Sequence, residues 1–274
     1  MKPFKILITT GCLLIAVGIG IIMYAPVSSF VNEQNMKDTI SAYDIEIKEM
    51  IDNTDTGEIE KIISEINEST DTEYTIQDYI EDNNITIDTD NKEINWAWLA
   101  LLREQMQEYN RELVEFGQYE LNDPFAYEQP SFNLYSYSLY DNVFGHISAP
   151  AIDMDLPIYL GANQYNMNFG AVQLSYSSMP IGGESTNAVF AAHRGYIGKI
   201  FFDNIVFLEE GDDVYITNPW ETLNYKVIYT EVISPYDIQK CYIQPDKDLI
   251  TLLTCHPYGE STQRYMVVCE RTSE

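Results

Sequence analysis

From Val143 onward the chain loses every helical pattern and breaks into short β-rich runs: Phe144–Ile147, Leu156–Leu160, Ala188–Ala192, Asp213–Thr217, Tyr225–Val232, Leu249–Cys255 and Arg264–Cys269. Gly, Pro and Asn clusters such as Gly182-Gly183 and Asn218-Pro219 separate them. Many short strands with turn punctuation predict an antiparallel barrel or sandwich for the C-terminal half.

The N-terminal half is different. Lys2 and Lys5 precede a run from Ile6 to Tyr24 with no charge, long enough to cross a bilayer. Cations on its short N-terminal side predict that the remainder faces outward. A cleaved signal peptide is the alternative, but the run exceeds a typical signal core and Ala25-Pro26-Val27 is a poor cleavage site, so a retained anchor is expected. Cys12 has too few apolar residues before it for a lipidation signal and reads as a membrane-buried thiol. Glu33 to Ile51 reads as helical, and Asp52 to Asn95 as an acidic polar connector with one short helix over Ile59–Ile66. Trp98, Leu102, Met106, Tyr109, Leu113 and Phe116 form a helical stripe suited to packing on a neighbouring domain. Asn122-Asp123-Pro124-Phe125 reads as a turn.

The balance of 43 acids against 15 bases, a net charge of −28, argues against a nucleic-acid partner, which needs clustered Lys and Arg. Its plain meaning is solubility at an exposed surface. Outside the apolar run only Cys241, Cys255 and Cys269 remain, an odd number and no disulfide framework. His146, His193 and His256 are scattered without metal-ligand spacing.

Chemistry concentrates in Asp248 to Arg271, where two β-rich runs flank a loop holding Pro257-Tyr258-Gly259. Alternation along a strand puts Leu249, Thr251, Leu253 and Cys255 on one face and His256 on the other. Across the hairpin, Cys255 and Arg264 can approach, with Cys269 facing away from Arg264. A cation beside a thiol favours the reactive thiolate, and a guanidinium fork suits a carbonyl becoming an oxyanion. His256 is therefore a poor base for Cys255. His193, where the run Ala188–Ala192 becomes a loop, is better placed. Each residue alone has an ordinary reading: a small buried thiol, a core or surface histidine, a solvated arginine. They carry weight together.

These residues resemble the sortase family, and its class C, pilin-polymerising subgroup in particular. Thr251-Leu252-Leu253-Thr254-Cys255 is similar to the TLxTC signature, and Arg264 follows as in TC-x-PYG-x-x-T-x-R. Ala192-His193-Arg194-Gly195 resembles GHRG with Ala for the first Gly, and Asp123-Pro124-Phe125 resembles the subgroup's lid motif. Gly145-His146-Ile147, Asp155-Leu156-Pro157-Ile158-Tyr159 and Pro180-Ile181-Gly182-Gly183-Glu184-Ser185-Thr186 are similar to its barrel segments. The similarity runs from Trp98 to Arg271. Two features depart from it: no second apolar span follows the last β-rich run, and the acidic connector is long.

The resemblance implies a mainly β fold, a closed sortase-type barrel of about eight strands with short helices, behind a helical N-terminal region and a transmembrane anchor. The expected division is anchor over 1–31, acidic helical region over 32–121, lid over 122–130 and catalytic barrel over 131–274. It also implies that Cys255 cleaves an LPxTG-like sorting signal after Thr through a thioacyl intermediate. His193 would move the proton, Arg264 would hold the oxyanion, and Asp123 and Phe125 would cover the cleft as a lid. The implied partners are the membrane and pilin subunits bearing sorting signals and acceptor lysines, with no metal or organic cofactor. The alternatives are a housekeeping sortase that anchors proteins to the cell wall and an idle pilin-binding scaffold.

Overall fold

The computed structural model describes residues 2–53, 56–69, 74–86, 96–139 and 141–272. Helix α1 (Lys2–Asn53) is continuous through the apolar run and the Glu33–Ile51 segment. Its residues from Leu13 onward include an apolar stretch long enough to cross a membrane and buried against nothing in the protein. Beyond that stretch Met36, Tyr43 and Ile47 turn inward and join the barrel's hydrophobic core. The Tyr43 hydroxyl donates to the Phe144 carbonyl at 2.9 Å, and Lys199 Nζ donates to Asn32 Oδ1 at 3.2 Å. His146 bridges the two bodies, with Nδ1 2.8 Å from Asp155 and Nε2 3.5 Å from Asp44 of α1. One rod thus runs from the apolar stretch onto the barrel wall. Cys12 lies where side-chain surroundings are outside the described residues.

The acidic segment departs from its reading as a connector. Besides α2 (Thr56–Ser69) it carries α3 (Ile76–Asp82), started by a reciprocal capping box in which Thr75 and Asp78 satisfy each other's backbone amides. Acidic composition hid that Thr-x-x-Asp start signal. Its last stretch, 87–95, lies outside the described residues. Helix α4 (Trp96–Phe116) buries Leu99, Leu102, Met106 and Leu113, and Asn110 accepts from the Met179 amide at 2.7 Å. The helical stripe therefore packs as expected, except that Phe116 at its end is exposed.

Eight strands close a barrel: β1 (Gly145–Ala149), β2 (Met154–Leu160), β3 (Ala171–Gln173), β4 (Thr186–Ala191), β5 (Asp213–Thr217), β6 (Thr222–Ile233), β7 (Asp248–His256) and β8 (Gln263–Arg271). Around the wall the order is β1-β2-β3-β4-β7-β8-β6-β5. The barrel expectation holds, but the sheet is mixed, since β2 pairs β3 and β4 pairs β7 in parallel. Parallel neighbours need long crossovers that no turn signal marks. Strand β3, of three residues, falls below what periodicity can detect, and Phe144 sits just before β1 in the core. Strand β4 is buried at every position and β7 at all but its ends, which removes polar alternation from the two strands that frame the site.

Candidate active site

Two pairings set the geometry. In the β7–β8 hairpin Cys255 stands directly opposite Arg264. In the parallel β4–β7 pair, Ala191 matches Leu253, so two residues further along each chain lie His193 and Cys255. Both therefore leave the wall at the same barrel end. Thr254 Oγ1 ties the strand ends by donating to the Ala192 carbonyl at 2.7 Å. His256 pairs with Gln263 and faces away from Cys255, its ring 6.0 Å from that of Tyr265.

The glycine of Ala192-His193-Arg194-Gly195 has a steric reason. Gly195 sits at φ +71°, and a Cβ there would meet the Gly259 amide nitrogen at 2.5 Å. The loop after His193 and the Pro257-Tyr258-Gly259 loop after Cys255 thus touch backbone to backbone. Arg194 reinforces that contact, lying 5.3 Å from the Tyr258 ring centre with a long 3.5 Å approach to the Cys255 carbonyl. Asp203 accepts from the Gly195 amide at 2.8 Å and from the Tyr258 hydroxyl at 3.3 Å.

Arg264 is nearly buried, and every guanidinium nitrogen is engaged. Nη1 donates to the Ser261 and Gln263 carbonyls at 2.9 and 2.8 Å. Nε and Nη2 grip both carboxylate oxygens of Asp123 at 2.7 Å each, a bidentate pair. Asp123 precedes a single 3-10 turn, Pro124–Ala126, that aims Phe125 back at the site. The Phe125 ring lies 4.7 Å from the Arg264 guanidinium carbon and 6.2 Å from the His193 ring centre. Tyr127, in a left-handed conformation at φ +59°, adds a second ring 6.1 Å from His193, and Tyr196 stacks on the imidazole at 4.7 Å. The Asp123–Tyr127 segment lies over His193 and Arg264.

Burial dominates the electrostatics. It pushes the Cys255 thiol above its ordinary value, opposed by Arg264, reinforced by Asp123 and opposed again by Arg194. It pulls His193 below its ordinary value, and Lys199 adds to that depression. With Asp123 in place the pair is a neutral thiol beside a neutral imidazole. Cys241 is pushed up to about 12 by burial, and Cys269 is raised by burial as well, leaving both inert. No cluster of three metal-ligating side chains exists among the described residues.

All five site residues singled out from sequence meet at this barrel end. Sequence reasoning missed Tyr127, Tyr196 and Asp203. Tyr196 lay within reach as the neighbour of Gly195, whereas Asp203 carries no local signal because its partners come from another loop.

A closed barrel whose rim presents a cysteine, a histidine and an arginine from three strand ends defines a class of cysteine-site barrel. Residues 147–272 match the sortase domain family. Solved structures agree: a pilus-related sortase C of Group B Streptococcus is 31% identical with TM-score 0.59, covering 73% of this chain and 97% of that one. Sortase C-1 of Actinomyces oris is 32% identical with TM-score 0.58, covering 64% and 98%. Sortase A of Listeria monocytogenes is 30% identical over 131 residues, 47% of this chain and 57% of the relative. The chain spans a little over half the length of the curated relatives it matches. The chain belongs to the sortase family, and its structural neighbours are class C sortases.

Proposed function

We propose that this chain is a membrane-anchored cysteine transpeptidase that cleaves an LPxTG-like sorting signal and transfers it to an amine, in the manner of a pilin-polymerising sortase. The observation that carries the reading is the in-register convergence of Cys255, His193 and Arg264, with Asp123 occupying the arginine's donors. Cys255 attacks the Thr carbonyl carbon as its proton passes to His193, and the carbonyl electron pair moves onto oxygen. Arg264, released from Asp123, donates to that oxygen. The C–N bond then breaks, His193 protonates the leaving amine, and a thioester remains on Cys255. An incoming lysine amine loses its proton to His193 and attacks the thioester carbonyl carbon; the C–S bond then breaks, the Cys255 sulfur leaves as thiolate and takes that proton back from His193, and an amide remains. No organic cofactor or metal has a step in this scheme. Lys2 and Lys5 before the apolar stretch orient the barrel outward, and the acceptor is a pilin lysine.

The pilus reading draws on the class C neighbours and on the Asp123–Arg264 contact. The curated relatives named sortase A support a second reading, attachment of proteins to the cell wall. Incubating the protein with an LPxTG peptide and measuring intact mass should show an adduct on Cys255 minus the leaving fragment. No adduct in wild type and Asp123→Ala would remove the enzyme reading. Adding a pilin should give covalent ladders, and adducts without ladders would favour wall attachment.

A further inference from the structure

The loop that follows His193 docks on α1 just where that helix leaves the apolar run. Gly198 is buried at φ +78°, and a Cβ there would come within 2.3 Å of the Ser28 hydroxyl oxygen. Lys199 Nζ donates to Asn32 Oδ1, and Ile200 and Phe201 line one small cavity with Ser29, Asn32 and Met36. Further along, α1 meets Phe144 through Tyr43 and His146 through Asp44. The His193 loop thus touches α1 about four helical turns nearer the apolar run than those contacts do.

Length puts this contact at the outer face of a bilayer. Ile6 to Asn32 is uncharged for 27 residues, about 40 Å of helix against a hydrocarbon core of about 30 Å. Lys5 holds the inner end at the interface, so the surplus emerges on the outer side and carries Ser28 and Asn32 into the headgroup layer. The surface around the contact is apolar. Val27, Phe30 and Val31 of α1 and Ile197 and Ile200 of the loop each lie within two residues of Ser28, Asn32, Gly198 or Lys199. All five are exposed, Ile197 by 70% and Phe30 by 62%. Exposed apolar side chains are ordinary singly, but a patch drawn from two touching segments marks a binding surface. Lipid is the occupant it fits, because the patch continues an apolar stretch of the same helix that is buried against nothing in the protein.

We propose that the bilayer itself is the partner of this patch. Ile197 and Ile200, with Val27, Phe30 and Val31, sit in the outer headgroup layer, and the His193 loop is a second membrane contact beside the span. The inference rests on the reading of the apolar stretch as a membrane anchor. Ser28 stands only about 6 Å along the helix from Tyr24, so the loop that touches it has no room to stand clear of the lipid. Tyr196, which stacks on the His193 ring at 4.7 Å, directly precedes Ile197. The contact therefore holds the catalytic rim at the bilayer surface instead of at the end of a free tether.

The test uses the full chain in nanodiscs of phosphatidylcholine and phosphatidylglycerol. Cys12→Ser and Cys255→Ala leave one introduced thiol to carry a nitroxide, since Cys241 and Cys269 are buried. Labels go at Ile197→Cys, at Ile22→Cys in the apolar stretch and at Lys48→Cys, exposed near the far end of α1. Collision with oxygen, which partitions into lipid, is compared with collision with a water-soluble nickel chelate, and their ratio cancels shielding by protein. The ratio at 197 should exceed that at 48 by about threefold or more. A ratio at 197 equal to that at 48, with 22 in lipid, would overturn the proposal and leave the anchor standing. Equal ratios at 22 and 48 would remove the anchor and the proposal with it. A second copy covering the patch would lower both collision rates at 197 without raising their ratio, which also overturns it. No turnover is read, so failure here is separate from failure to form an adduct on Cys255.

Discussion

Replacing Asp123 by Ala should release Cys255 for reaction. In the resting structure both carboxylate oxygens of Asp123 hold Arg264 at 2.7 Å, with side chains 22% and 5% exposed, so solvent screens the pair weakly. Hydrogen bonds to charged groups contribute roughly 1.5–3 kcal/mol net. Taking that as the total for the bidentate contact, and about 1.4 kcal/mol per tenfold, truncation should raise the open fraction about 10- to 100-fold. While the closed state dominates, the observed rate scales with that fraction. Phe125, 4.7 Å from the guanidinium carbon, adds a contact of about 0.5–2 kcal/mol, so Phe125→Ala should give a smaller increase. The direction of the pH change is also fixed. Burial and the Asp123 charge both raise the Cys255 thiol, so removing the lid lowers it and moves the midpoint of the rate profile to lower pH. The assay is pseudo-first-order alkylation by iodoacetamide from pH 6 to 10, followed by intact mass and peptide mapping. Arg264 keeps its bonds to the Ser261 and Gln263 carbonyls, so its position should survive the change. Identical rates and midpoints in wild type, both single variants and the double variant would refute the lid argument.

Arg264→Lys keeps the charge but loses the planar fork, so acylation by a sorting-signal peptide should fall at least 100-fold in stopped-time mass assays; near-normal rates would reduce Arg264 to a generic cation. Cys255→Ala should abolish the thioacyl adduct with little change in Tm. Cys269→Ala, fully buried and away from Arg264, should retain the adduct and lower stability by about 1 kcal/mol by denaturant titration. His193 is held below its ordinary value of about 6.5, so the unfolded chain binds the extra proton first as pH falls. Stability should therefore decline from about pH 6.5 downward, and His193→Gln should flatten that part of the curve; an unchanged slope would place the imidazole in ordinary solvent.

Local sequence determined what local physics controls. The uncharged run between Lys5 and Ala25, the stripe on α4 and the turn-punctuated strands follow from length, periodicity and backbone preference, which act over a few residues. Hairpin parity put Cys255 opposite Arg264 because the side-chain period in a strand is two. Parity set His256 aside and the end of the Ala188–Ala192 run favoured His193, while resemblance to ordered family motifs supplied what parity could not, the lid at Asp123 and Phe125. Only the tertiary structure decided the rest. The mixed order of the barrel depends on crossovers whose ends pair far apart in sequence, so β4 beside β7 has no local signal. Asp203 and Tyr127 reach the His193 loop and ring from other turns, and α1 docks through Tyr43 and the His146 bridge on packing that composition cannot express. The raised thiol and lowered imidazole follow from burial, a property of the closed barrel end and not of the residues that line it.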